Sequence, residues 1–152
     1  IGGGVGLVSC CDIAVAAERA HFGLSEVRLG ILPAVISPFV LAKIGAAQAR
    51  ELFLTGERFD AQHARRIGLI QHVVPNEQLD AQVDERIRQL LLAAPGAQAA
   101  AKALIQFVHQ KPKSETRDYT ANLIAQRRAS DEGREGMSAF LEKRNPSWQQ
   151  ST

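Results

Sequence analysis

Residues 1–12 read "IGGGVGLVSCCD", with glycine at positions 2, 3, 4 and 6 ahead of a short apolar run. What those glycines do decides how the rest of the chain is read. Glycine leaves backbone N–H groups uncovered and lets a ligand approach the main chain closely. Just before a helix, such donors suit a phosphate, or an enolate oxygen that becomes charged in a transition state. A tight turn or close helix packing would use the same residues, and four glycines alone do not choose between these. The phosphate version has a direct test, because a dinucleotide fingerprint needs G-x-G-x-x-G or G-x-G-x-x-A. Counting from Gly2 the last position is Leu7, and from Gly4 it is Ser9, so neither register fits. Glu18, at the end of the next apolar run, would be tolerable for ribose binding, which leaves that reading weak rather than excluded.

Working outward, "LVSCCD" predicts a short helix at best, and "DIAVAAE" (12–18) reads as a buried strand bounded by acids. A second short strand covers His21 and Phe22. "GLSEVRLGILPAVISP" (23–38) is irregular, punctuated by Gly23, Gly30, Pro33 and Pro38. Helical pattern resumes in "PFVLAKIG", with Gly45 as C-cap, and again in "AAQARELFLTG", stopped by Gly56. Asp60 is placed to N-cap "AQHARRIG", and "LIQHVV" is a strand closed by Pro75. From Asn76, itself a good cap, the pattern is helical only: four helices are expected, the second after Pro95 and the last before Pro146. The division is therefore 1–75, mixed strand and helix, and 76–152, helix alone. Two or three short strands do not make a self-sufficient sheet. The expectation is that the chain is the C-terminal portion of a longer protein.

Composition bounds the function. At 152 residues the chain is sized for one domain with a single core, 45% hydrophobic and 22% charged, as a soluble globular protein is. Eighteen basic against sixteen acidic residues leave a net charge of +2, too even to imply nucleic-acid binding. The apolar stretch from Leu90 to Pro95 is far too short to span a bilayer, and no secretory signal is visible. The only cysteines, Cys10 and Cys11, are adjacent and cannot staple distant segments; they read as reduced and buried, in a reducing compartment.

Glu26 is the other chemical candidate. It lies in "FGLSEVRLG" among Leu24, Val27, Leu29 and Ile31. A carboxylate in apolar company tends toward a raised pKa, which suits general acid–base work. An ion pair with Arg28, or a loop cap, explains it equally from local sequence. The four histidines (His21, His63, His72, His109) show no metal-ligand spacing and no H-E-x-x-H, so no metal is expected. No G-x-S-x-G occurs. The basic pairs Arg65/Arg66, Lys111/Lys113, Arg127/Arg128 and Lys143/Arg144 read as solvated helix ends.

Three pieces in this order, "GGGVGLVSCCDIAVAAERAHFGLSEVRLGILP", "LFLTGERFDAQHARRIGLIQHVVP" and "REGMSAFLEKR", resemble the enoyl-CoA hydratase/isomerase (crotonase) family over nearly the whole chain. "LSEVRLGILPAVISPFV" is similar to the branch that includes methylglutaconyl-CoA hydratases. The resemblance implies an α/β fold of ββα turns in a spiral, followed by helices that assemble homotrimers, often as dimers of trimers. It implies that an N-terminal half, carrying one of two oxyanion-hole donors, lies outside this chain. Gly3 falls where the family supplies the second oxyanion N–H, and Glu26 on the family's catalytic glutamate. Pro33 and Ala34 fall in the substrate pocket, Ala34 where glycine is usual. Phe140 and Lys143 match positions that reach the coenzyme A of a neighbouring subunit. Gly6 also falls at the pocket, and it is a departure: hydratases of the family commonly carry a second glutamate there. One reading is that Gly6 makes room for a branched substrate.

The function implied is an enoyl-CoA hydratase (lyase), with 3-methylglutaconyl-CoA in leucine or related catabolism as a candidate substrate. A single-glutamate enoyl-CoA isomerase and a non-catalytic acyl-CoA-binding or assembly subunit are the alternatives. The partner is an acyl-CoA thioester; coenzyme A enters only as part of it, and no further cofactor, nucleic acid or membrane is expected. The compartment expected is the cytoplasm, with the mitochondrial matrix as the alternative.

Overall fold

The computed structural model describes residues 1–149. The chain divides into two compact units, Ile1–Asp84 and Glu85–Thr152.

In the first unit, α1 (Gly3–Cys10) begins inside the glycine run rather than after it. Glycine is a poor helix former, and packing overrides that: Val5, Gly6 and Ser9 share the buried face, and the Ser9 hydroxyl donates to the Val5 carbonyl at 2.9 Å. Strand β1 (Val15–Ala17) pairs in parallel with β4 (His72–Val74), Val15 opposite His72. Strand β2 (His21–Gly23) pairs antiparallel with β3 (Arg58–Asp60), Phe22 opposite Phe59. Local pattern does not predict β3, a three-residue strand with one apolar side chain. It exists because β2 supplies its ladder and the Phe22 and Phe59 rings stack, with centroids 5.7 Å apart.

Between them runs α2 (Ser37–Thr55), broken at Gly45, whose φ of 76° and ψ of 163° are not helical. The two expected helices are thus both present, separated at Gly45. Gly56 ends it in the left-handed region, its N–H bonded to the Leu52 carbonyl at 3.0 Å. Asp60 caps α3 (Ala61–Arg66) by accepting the His63 N–H at 2.7 Å. The core of this unit joins Val5, Leu24, Val40, Leu52, Phe59 and Leu69.

Cys10 and Cys11 are free thiols but exposed, contrary to the expectation of burial. Cys10 lies across the helix from the buried Val5, and Cys11 follows the last turn, where its carbonyl accepts from the Lys43 ammonium at 2.6 Å.

Every remaining element among the described residues is helical. A 3-10 turn (Asn76–Gln78) stands where Asn76 was expected to cap, and leads into α4 (Leu79–Leu91). In the second unit follow α5 (Pro95–His109), α6 (Arg117–Ala129) and α7 (Asp131–Glu142). Glu132 of α7 accepts from the Gly96 and Ala97 N–H groups at 2.8 and 3.0 Å and pairs with Arg127, closing the start of α5. Those bonds hold its carboxyl below the usual range. The Phe107 and Tyr119 rings stack at 3.9 Å. Among the described residues of this unit only Thr116 and Ala139 are buried, while Ile87, Leu90, Leu91, Ile105, Ile124 and Leu141 remain exposed. No single helix among the described residues is long and apolar enough to cross a membrane.

Candidate active site

The site is built where the start of α1 meets the segment after β2. The Gly2 N–H donates to the Gly23 carbonyl at 2.9 Å, which ties the head of the helix to the end of the strand. Gly2 sits at φ 53° and ψ −120°, a conformation open to glycine and costly for other residues. A Cβ there would stand 3.2 Å from Glu26 Oε1, so the glycine also permits the carboxylate's approach.

The next three amides divide. Gly4 donates to the Ile1 carbonyl at 3.1 Å and Val5 to Gly2 at 2.9 Å, but the Gly3 N–H has no acceptor among the described residues. It is one of the orphan donors that every helix N-terminus carries, exposed and with the positive end of the helix behind it.

Glu26 lies on a 3-10 turn (Ser25–Leu29) that Gly30 closes at φ 74°, while the Ile31 N–H returns to the Glu26 carbonyl at 3.2 Å. Its side chain is half-buried, and Oε2 is buried without a hydrogen-bond partner. The ion pair with Arg28 is not formed: Arg28 Nε donates to the Thr55 carbonyl at 3.1 Å and its stem packs at Gly56. A buried carboxylate oxygen with nothing bonded to it is unusual, because leaving one unmatched is costly.

Gly3 and Glu26 open on one cavity of about 290 Å³, whose remaining wall is the stretch from Leu32 to Ile36. Pro33 and Ala34 are therefore on this wall, with Leu32, Val35 and Ile36, which sequence reasoning did not single out. Gly6 is not. It is buried, and a Cβ on it would lie 2.3 Å from Ile36 Cγ2 and 2.9 Å from Ile36 Cβ. The room that Gly6 leaves is already filled by Ile36. Phe140 and Lys143 belong to the second unit: Phe140 is 82% exposed, and Lys143 ends α7 in the left-handed region at φ 56°, its side chain in solvent.

The arrangement is chemically simple. A free backbone donor and an unpartnered carboxyl group face one mostly apolar space, the parts needed to polarise a carbonyl and move a proton beside it.

Residues 1–151 match the family described as enoyl-CoA hydratase/isomerase, and the chain belongs to that family. It is 35% identical over 147 residues to the Mycobacterium bovis protein named "Probable enoyl-CoA hydratase echA8", covering 96% of this chain and 57% of that one. It is 34% identical over 152 residues to a carnitinyl-CoA dehydratase of Salmonella heidelberg, covering 97% and 58%. The crystal structure of an enoyl-CoA hydratase from Shewanella pealeana matches with a TM-score of 0.90 and 46% identity, over 97% of this chain and 55% of that one. The chain thus spans little more than half the length of these relatives, and its fold is that of the corresponding part of the crotonase ββα spiral with its helical region.

Proposed function

We propose that this chain carries the acid–base half of an acyl-CoA thioester site and that the full-length protein is an enoyl-CoA hydratase. The observation that supports it is the shared cavity of the Gly3 amide and the Glu26 carboxyl group. In this reading the thioester oxygen accepts from the Gly3 N–H and from a second donor that the family resemblance puts outside residues 1–152. Each such donor lowers the barrier by ~3 kcal/mol as charge moves onto that oxygen. Glu26 takes a proton from water as its oxygen bonds to the β-carbon, and returns a proton to the α-carbon. Such catalysis is worth about 10²–10⁴ in rate. Relatives named as a hydratase and a dehydratase, which run this addition in its two directions, favour the assignment.

One observation favours a second reading. Among the described residues, Glu26 is the only carboxylate lining the cavity. An isomerase needs one carboxylate, carrying a proton from the α-carbon to the γ-carbon of a 3-enoyl thioester. Formation of 2-enoyl-CoA from 3-enoyl-CoA with no hydroxyacyl product would decide for it.

The branched, carboxylated 3-methylglutaconyl-CoA of leucine catabolism is the finer substrate proposal, supported by the wording of "LSEVRLGILPAVISPFV". Assay of the full-length protein on crotonyl- and 3-methylglutaconyl-CoA, beside a Glu26→Gln variant, tests both levels. Undiminished turnover by the variant would remove Glu26 from the chemistry. We also propose that the exposed apolar side chains of α5–α7 meet other copies in a trimer or dimer of trimers, where Phe140 and Lys143 would approach a neighbour's coenzyme A.

A further inference from the structure

We infer that Ile36 is a specificity-determining residue of this site, because it stands where the side chain of residue 6 would project and also lines the cavity. The inference rests on the acyl-thioester reading of that cavity.

Ile36 cannot easily withdraw. Its carbonyl accepts from the Phe39 and Val40 N–H groups at 3.1 and 3.0 Å, which makes it the entry residue of α2. The following residue is pinned as well, with the Ser37 N–H on the Pro33 carbonyl at 3.0 Å and the Ser37 hydroxyl on the Ala34 carbonyl at 2.9 Å. The side chain is half-buried and packs on the core of the first unit. Opposite it, Gly6 is held in α1 between the buried Val5 and Ser9. A methyl group at residue 6 would overlap the Ile36 branch, well inside van der Waals distance.

Residues 6 and 36 therefore share one volume. A longer acid at residue 6 cannot enter while isoleucine stays at 36, and Ile36 supplies alkyl surface to a wall formed with Leu32, Pro33, Ala34 and Val35. An acyl group bound with its thioester at Gly3 and its reacting carbons at Glu26 meets this surface. The size of residue 36 then limits the bulk accepted beside the reacting carbons.

The test uses full-length protein and variants Ile36→Ala, Gly6→Ala and the double change, with Glu26→Gln alongside. Ile36→Ala is expected to raise kcat/KM for a 3-substituted enoyl-CoA relative to crotonyl-CoA about tenfold or more, the scale of a few buried methyl groups. Ile36→Val, one methylene smaller, gives a shift of the same sign should Ile36→Ala not fold. Gly6→Ala alone is expected to lower the unfolding temperature, and Ile36→Ala to restore much of that loss in the double variant. An unchanged substrate ratio in a folded Ile36 variant, with Glu26→Gln inactive, would overturn this inference and leave the proposed function standing. Gly6→Ala as stable as the parent would overturn the shared volume itself. Full activity of Glu26→Gln would instead strike the functional reading.

Discussion

Gly2 and Glu26 constrain each other at the level of single residues. The helix head bends at Gly2 with a positive φ, and the carboxylate oxygen lies where a Cβ would nearly touch it. Gly2→Ala is expected to cost ~1–3 kcal/mol for the backbone conformation and to displace the Glu26 carboxyl, lowering both the unfolding temperature and kcat. Thermal unfolding and steady-state kinetics on the full-length protein read the two effects separately. Glu26→Gln keeps the shape of the side chain and removes only its proton chemistry. Its kcat is expected to fall by about a hundredfold or more, with KM little changed. Both residues lie in segments that sequence reading had marked, the glycine run and "LSEVRLG". That positions 3 and 26 open on the same cavity is a different kind of fact, since 23 residues and two strands separate them.

At the level of elements, the connection between α6 and α7 carries its own stop and start. Ser130 Oγ accepts the Gly133 N–H at 3.1 Å as the N-cap of α7, and a Cβ on Gly133 would lie 2.0 Å from the Arg127 carbonyl oxygen. Replacing a helical glycine by alanine ordinarily stabilises a helix, by up to ~1 kcal/mol in its interior. Gly133→Ala is expected to do the reverse, because the Arg127 carbonyl belongs to the helix end and has little freedom to move. Urea titration comparing it with Ser130→Ala, an ordinary cap loss of ~1 kcal/mol, gives the sign.

At the far end of α7 a carboxylate is held by an arginine and a backbone amide. Glu135 accepts from Arg144 Nη1 and Nη2 at 2.7 and 2.9 Å and from the Ser147 N–H at 2.9 Å. The Arg144 bonds first, and then the Ser147 amide, lower its pKa from 4.5 to about 2. A carboxylate depressed in the folded state adds stability above its unfolded pKa and loses it as the pH falls toward the folded one. Glu135→Gln is therefore expected to flatten the fall of unfolding temperature between pH 4.5 and 2.

For the whole molecule, the two units differ in kind. Both leave large apolar side chains in solvent, but the first buries a continuous core from Val5 to Ile70 beneath them, whereas the second, with Ile105, Ile124 and Leu141 exposed on α5, α6 and α7, buries little among the described residues. Apolar surface of that sort marks an interaction face in a soluble protein. Replacing Ile105 and Ile124 by glutamate is expected to reduce the sedimentation coefficient of the full-length protein to that of a smaller species. An unchanged assembly would exclude those faces from the contact.

What the amino-acid order determined by itself was everything with a local cause. The apolar runs gave β1, β2 and β4, the Asp60 side chain started α3, and helical spacing after Pro75 produced α4 to α7, since period, cap and breaker act within a few residues. Gly3 and Glu26 were legible too, as residue types suited to a chemistry. Tertiary structure alone decided the pairing of β1 with β4 across 57 residues, the strand β3 that only β2 makes possible, the exposure of the two cysteines, and the seating of Ile36 over Gly6. Those depend on which distant surfaces meet. A shared volume or a common cavity has no periodicity along the chain to announce it.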